Sequence, residues 1–505
     1  MEILLMFLGA IILILLGIIF ILFRTLSEKS KIKDDIFDDI FKNRNNPNVT
    51  ASHANNLPKN LDESVFQTAF NLMEKTNYSL FITGKAGTGK STLVEYFRIN
   101  TKKSAVCLAP TGVAALNIRG KTIHSLFKFP PQVITSDAIK NNTYREEVRE
   151  LFENVDTILI DEISMVRADL IQGVDYILKK FRKDDRPFGG VQMIFVGDMY
   201  QLPPVVGKDK LTITHKDKNV YEGYTIDYFF KKYKGPYFFN SDAFKECEFK
   251  YYELNTVFRQ KDDNEFINLL NSIRENNINE EILSELNKQH IEAMSNSDNN
   301  RIELCSNRSL VERKNGNMMK ILKSPAFNYE AAVSGIFTDV VKEKDYPAKK
   351  DLTLKQGAQV MMLINDKEGR WVNGTIGIIS KLSNDEIVVE INDTPYTINK
   401  YTWEAVDYKY DKEQDKLITT VIGSYTQYPL MLAWAITIHK SQGKTFEKVT
   451  IDLGYNGAFE HGQTYVALSR CKTLSGISLK RPINRKDIIV ADEVVKFIKE
   501  MNSKF

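Results

Sequence analysis

The residues with the clearest chemistry stand in one run of nine, Gly84-Lys85-Ala86-Gly87-Thr88-Gly89-Lys90-Ser91-Thr92. Glycines at this spacing let backbone N–H groups curl around phosphate oxygens where a helix begins. Lys90 is spaced to reach β- and γ-phosphates, and the Ser91 hydroxyl to ligate Mg2+. The pattern needs a strand before it and a helix after it. Ser79–Thr83 supplies an apolar strand and the stretch to Phe97 a helix. The run therefore predicts bound ATP. A second apolar strand, Asp156–Ile160, ends in Asp161-Glu162. Two carboxylates at the end of a buried strand are costly unless a cation or hydrogen bonds satisfy them. Beside a phosphate loop, Asp161 would serve Mg2+ and Glu162 would polarise an attacking water; a capped helix start is the plainer alternative. A third strand, Gln192–Val196, runs into Gly197-Asp198-Met199-Tyr200-Gln201-Leu202-Pro203-Pro204. This sets Gln201 where a γ-phosphate sensor would stand, unless the segment is only a turn closed by two prolines.

These segments fall in a longer ordered series. Ala109–Ala115 is followed by Gly120-Lys121-Thr122-Ile123-His124-Ser125, then by Leu254–Gln260, Thr437–Gly443 and Gln463–Arg470. From about Leu61 to Pro482 the series resembles the superfamily 1 DNA helicases that move 5′ to 3′, and within them the petite integration frequency (Pif-type) family. The helix expected over Glu162–Arg182 resembles that family's signature helix in length and pattern. Its Leu170, Ile171, Val174, Ile177, Leu178 and Phe181 make one apolar face. Its basic end, Lys179, Lys180, Arg182 and Lys183, is a candidate DNA contact or simply a solvated helix end.

The resemblance implies an α/β fold. Two RecA-like P-loop lobes with parallel sheets hold ATP and Mg2+ between them, and a small SH3-like β-barrel is inserted in the second lobe. It implies that Arg259 and Arg470 act on the charge of the transferring phosphoryl group, that Gln67 reads adenine, and that Gln442 and Gly443 approach the nucleotide. It places single-stranded DNA on Pro110, Thr111, Gly112, Thr122 and His124 of one lobe and on Thr437, His439 and Lys440 of the other. Such groups hold a backbone without reading bases, as translocation requires. The expected activity is ATP-dependent 5′-to-3′ unwinding of forked DNA in repair, recombination or replication. The alternatives are an ATP-gated clamp that holds nucleic acid without unwinding it, and a superfamily 1 RNA helicase.

The elements that must position these residues fit a chain of 505 residues, enough for two to four domains. Lys and Arg number 68 against 65 Asp and Glu, a net charge of +3. Any nucleic-acid surface is therefore local rather than a field over the whole molecule. The four cysteines lie far apart, which argues against a zinc site or a disulfide scaffold. Ile3–Phe23 carries no charge and, as a helix, would be roughly 31 Å long, the thickness of a bilayer core. Arg24, Lys29, Lys31 and Lys33 follow it, predicting a single-pass membrane protein with its body in the cytoplasm. The expected organisation is an anchor over 1–23, a flexible linker over 24–60, and a first lobe over 61–253. The second lobe follows over 254–378 and 428–505, interrupted by the barrel at 379–427. Lys208–Phe239 interleaves lysines with aromatics, which suits either a stacking platform for bases or an insertion packed on its own lobe.

Overall fold

In a computed structural model of the chain, residues 63–504 are described, save 136–138, 140–142, 208–209, 215–219, 261–262, 291–300 and 342. Strands of four to six residues rich in Ile, Val, Leu and Phe dominate a six-stranded sheet. Their spatial order is Lys121–Thr122, Ala105–Ala109, Thr157–Ile160, Gln192–Val196, Ser79–Gly84, Phe249–Leu254. Every pairing is parallel. The central strands are buried along their whole length, as expected where helices cover both faces. Parallel strands all end at the same edge. The phosphate loop, Asp161 and the Gly197-Asp198 turn therefore emerge side by side from three adjacent strands.

A second parallel sheet runs Ala435–Thr437, Ile302–Cys305, Val449–Asp452, Ile477–Leu479. Between its strands the chain turns to antiparallel pairing. The strands expected to form one small barrel over 379–427 divide between two sheets. Ile376–Leu382, Ile387–Ile391 and Thr394–Thr397 join Gln359–Met362 and Leu430–Leu432 in a five-stranded sheet. Tyr401–Asp411 and Lys416–Gln427 form a long hairpin that pairs with Ala332–Gly335. The hairpin reaches the first lobe. The Tyr408 hydroxyl accepts from the Cys107 N–H at 3.2 Å and lies 3.4 Å from the Cys107 carbonyl. Beside it, Lys121, itself buried, pairs with Asp407 at 2.6 Å.

The C-terminal helix Asp492–Lys504 follows the second sheet in sequence but packs on the first lobe. Phe497 stacks on Phe239 at 4.2 Å and touches Phe81, Phe238 and Phe244. Part of the Lys208–Phe239 insertion is likewise core. In helix Thr225–Tyr233, Tyr228, Phe229 and Tyr233 are buried with Val133 and Ala168. The helix thus packs on its own lobe and these three rings are not free to stack on bases, whereas Phe230 of the same helix is exposed.

The expected membrane protein is corrected here. Among the described residues no helix is long and apolar enough to cross a membrane. The stretch Ile3–Phe23, on which that expectation rested, and the linker after it lie outside the described residues.

Of the helix expected over Glu162–Arg182, the part Ala168–Arg182 forms, with Leu170, Ile171, Val174, Ile177 and Leu178 buried, while Ile163–Met165 is a separate 3-10 turn. Phe181 is half-buried against Phe152 and Tyr144. Its basic end has structural work. Arg182 Nε donates to the Gly189 carbonyl at 2.7 Å, and its Nη1 to the carbonyls of Phe152, Glu153 and Val155 at 3.2, 2.7 and 3.1 Å. Lys179 pairs with Asp175 one turn away at 2.9 Å. Arg182→Ala is expected to lower stability by about 2 kcal/mol, since several carbonyls lose their donor. Single-strand affinity should be unchanged. Unchanged melting with weaker DNA binding would return this helix end to the DNA path.

Candidate active site

The cleft between the two sheets has a volume of about 390 Å3. The first lobe contributes Ala86, Gly87, Gly89, Lys90, Ser91, Thr92, Asp161, Glu162 and Gln201 to its lining, and the second contributes Arg259, Gly443, Thr445, Arg470 and Lys472. The loop's shape depends on two glycines with positive φ, Gly87 at 84° and Gly89 at 82°. Gly89 caps helix Lys90–Asn100 in the left-handed conformation. A Cβ on Gly87 would stand 2.7 Å from Arg259 Cβ, so only glycine lets the arginine approach this closely. Thr88 is buried, and its hydroxyl donates to the Lys85 carbonyl at 3.0 Å. Lys90 Nζ folds back onto the carbonyls of Gly84 and Lys85 at 2.7 and 2.9 Å.

The cleft is dense in buried charge. Burial pushes Asp161 up to about 6, against the Glu162 N–H it accepts and the nearby Lys90. Burial, and then Asp161 next to it, pushes Glu162 up to about 7. Glu162 is also held at φ 50° in the left-handed region, a strained conformation for a non-glycine residue at a functional position. Across the cleft, burial and the neighbouring Arg470 pull Arg259 down to about 9. Arg470 is 2% exposed and is lowered by burial as well. Its Nε donates to the Val466 carbonyl at 3.0 Å and its Nη2 to Ser469 Oγ at 2.8 Å. Arg259 reaches Thr445 Oγ1 at 2.7 Å and the Ser469 carbonyl at 3.0 Å.

Gln442 bridges the lobes. Its Nε2 lies 3.2 Å from Glu162 Oε2 and 3.3 Å from Gln201 Oε1. It therefore stands between the two groups expected to handle water and γ-phosphate. Gln67 is half-buried on helix Glu63–Lys75 and donates to Asn71 at 3.3 Å. It is not among the residues that line the cleft, although its neighbour Phe66 touches Phe258, one of the lining residues.

The residues expected along the DNA follow strand ends on both lobes. Pro110 and Thr111 follow Ala105–Ala109. Thr111, Thr122 and Thr437 each cap a short helix, accepting from the N–H groups of Ala114, Ser125 and Lys440 at 3.3, 3.1 and 3.2 Å. Each hydroxyl oxygen is thus held in place as an acceptor, with its O–H left to donate. Gly112 is buried against Val341 and Asp345, and His124 is half-buried on the helix that Thr122 caps. His439 Nε2 lies 2.9 Å from Glu460 Oε2. Burial lowers Lys440, and Arg308 and Lys349 nearby lower it further, so cations gather at this edge.

Sequence reasoning missed a buried group behind the cleft. Asp198 and Arg274, 1% and 4% exposed, pair at 3.2 Å, and the Tyr465 hydroxyl joins them. The available signal was an arginine continuing the apolar face of helix Asn264–Arg274, four residues after the buried Leu270.

A phosphate loop and a carboxylate pair on one parallel sheet, faced by arginines from another, are the architecture of a P-loop ATPase with two RecA-like lobes. The comparisons with known proteins narrow this class. Residues 59–226 match the model of the PIF1-like helicase family. The ATP-dependent DNA helicase PIF1 of Danio rerio is 32% identical over 85% of this chain and 63% of its own. That of Candida albicans is 30% identical over 84% and 55%. The crystal structure of Bacteroides sp Pif1 in complex with ADP-AlF4 superposes with a TM-score of 0.77 at 36% identity, covering 87% of this chain and 96% of that one. Other solved relatives are Bacteroides Pif1 bound to ssDNA and a pair of Pif1 helicases at forked dsDNA. The chain belongs to the PIF1-like helicase family. It spans 55% and 63% of the length of the two curated relatives named here.

The raised carboxyl of Glu162 makes a stability prediction. Its ordinary value is 4.5 and its folded value about 7, so the folded state binds this proton more tightly. Its contribution to stability is therefore lost as pH rises from about 4.5 through about 7. Glu162→Gln, which cannot ionise, should match the wild-type Tm near pH 4 and exceed it near pH 8 in ligand-free protein. A Tm difference independent of pH would contradict the buried, proton-holding carboxyl.

Proposed function

We propose that the chain is an ATP-dependent DNA helicase that moves 5′ to 3′ on single-stranded DNA and unwinds forked duplexes. The observation that carries this reading is the single cleft in which Lys90, Asp161, Glu162 and Gln201 of one lobe meet Arg259 and Arg470 of the other. We read 61–253 as the first lobe and 254–505 as the second, with the C-terminal helix returned to the first, and the β-rich insertion, its strands shared between two sheets, as the counterpart of the family's SH3-like barrel, embracing the strand.

Within this reading the chain's own groups divide the work. The phosphate loop N–H groups and Lys90 bind the β- and γ-phosphates. Gln67 reads adenine, and Gly443 with Gln442 closes the nucleotide in from the second lobe. Ser91 and Asp161 fit a divalent cation: both line the cleft, and burial raises Asp161 even with Lys90 near it, so a cation there would help hold it ionised. Mg2+, when bound, would neutralise charge on the phosphate oxygens. Glu162, near neutrality in its titration, takes a proton from the attacking water, which Gln201 and Gln442 help orient. Arg259 and Arg470 stabilise charge on the transferring phosphoryl group. On the DNA side, Pro110, Thr111, Gly112, Thr122 and His124 pass the backbone to Thr437, His439 and Lys440. The threonine hydroxyls, oriented by accepting a cap bond, still have their O–H to donate to phosphate, and with backbone groups and the imidazoles they hold the strand while leaving the bases unread.

Lys90→Ala is expected to abolish ATP turnover, measured as phosphate release. Arg470→Ala should lower DNA-stimulated kcat by about 10³-fold or more with little change in ATP affinity. The proposal as a whole is tested by single-turnover unwinding of forks carrying either a 5′ or a 3′ tail, in DNA and in RNA. Strand release only from the 5′-tailed DNA supports it. ATP hydrolysis without strand release would favour the clamp, and preference for the RNA tail would favour the RNA helicase.

A further inference from the structure

Asp198 divides its two oxygens among four neighbours. Oδ1 accepts the Tyr200 N–H at 3.2 Å and the Arg274 guanidinium, with Nη2 at 3.2 Å and Nε at 3.4 Å. Oδ2 accepts Gln201 Nε2 and the Tyr465 hydroxyl, each at 3.3 Å. The same Tyr465 oxygen accepts the Ala86 N–H of the phosphate loop at 3.1 Å. One buried carboxylate thus joins the sensor glutamine, the phosphate loop and two side chains from beyond the first lobe. Neither Arg274 nor Tyr465 is among the residues that line the cleft.

A carboxylate this deep requires a positive partner. Burial alone would raise Asp198, yet Arg274 and then Lys90 hold it below its ordinary range. Lys90 is the group that turns to phosphate when nucleotide binds, so it cannot remain the standing partner. Arg274 can, because its guanidinium lies over the Tyr200 ring at 4.3 Å and has no other acid within ion-pair distance among the described residues.

We infer that Arg274 and Tyr465 are positioning residues for hydrolysis: they fix Asp198, and through it the Gln201 amide and the Ala86 turn, only when the two lobes are together. The inference rests on the ATPase reading above. The network bears directly on the sensor, and on the phosphate loop only through the single Ala86 N–H that Tyr465 accepts. Its loss should therefore appear in kcat more than in KM.

Steady-state ATP hydrolysis with saturating single-stranded DNA tests this in the full chain. Tyr465→Phe keeps the ring and removes one oxygen. It should lower kcat about tenfold, the scale of one hydrogen bond to a charged group, with KM for ATP within about twofold. Arg274→Met should lower kcat further, and Arg274→Lys should restore part of it. The double variant Asp198→Asn/Arg274→Met should be no slower than its slower single, the non-additivity of one shared interaction. If Arg274→Met does not fold, Tyr465→Phe and Arg274→Lys carry the test. Wild-type kcat in Tyr465→Phe, a fall in rate matched by a rise in KM, or losses that multiply in the double variant would overturn the inference. A wild-type chain that hydrolysed no ATP would end the ATPase reading and this inference with it, whereas unchanged variants of an active enzyme would end this inference alone.

Discussion

The cleft between the lobes has to hold charges of like sign side by side, away from water, before any phosphate arrives. Asp161 and Glu162 are consecutive in sequence, and Arg470 is close enough to Arg259 to lower it. Groups so placed shift toward their neutral forms or find partners. The carboxyls do the first and Asp198 does the second, through Arg274. The energy stored in this arrangement is what a polyanion with a divalent cation can release, and this is why the cleft suits a nucleoside triphosphate. The rest of the fold keeps these groups from relaxing apart. Parallel strands fix the loop and the carboxylates on one edge, and Gly87 lets Arg259 approach to contact distance.

Several elements tie the two halves together around that cleft. Helix Asp492–Lys504 returns from the second sheet to stack Phe497 into the first lobe's aromatic core. The Tyr401–Gln427 hairpin reaches the opposite side of the first lobe, where Tyr408 serves the backbone of Cys107 and Asp407 pairs with a buried lysine. Gln442 and Tyr465 then connect the lobes inside the cleft. Motion between the lobes must exchange these contacts, so opening and closing can be coupled to what occupies the cleft.

What the sequence made legible was local. The phosphate loop and Asp161-Glu162 are short contiguous segments whose meaning depends on a strand before and a helix after. The apolar face of Ala168–Arg182 follows from spacing alone. What it concealed was long-range. Asp198 and Arg274 lie 76 residues apart, and Asp198 and Tyr465 lie 267 apart, so no window contains both partners. Arg182 read as a basic helix end because the carbonyls it gathers belong to other turns of the chain. The lysine and aromatic run of the first-lobe insertion read as platform or, more readily, as core, and packing against Val133 and Ala168 decides for core at Tyr228, Phe229 and Tyr233. The barrel expectation came from the family resemblance laid over a run of short strands, and neither says that the long hairpin pairs with Ala332–Gly335 while its neighbours join another sheet.

The claim that the cleft stores electrostatic strain which the nucleotide relieves has a direct calorimetric test. Mg2+ with ADP is titrated into the protein near pH 6.5 in two buffers of different ionisation enthalpy, so that the heats report protons exchanged on binding. The account predicts net proton release, as Asp161 and Glu162 lose protons they hold at about 6 and about 7, and a smaller release in Glu162→Gln. Binding with no proton release, or with the same release in Glu162→Gln, would contradict it.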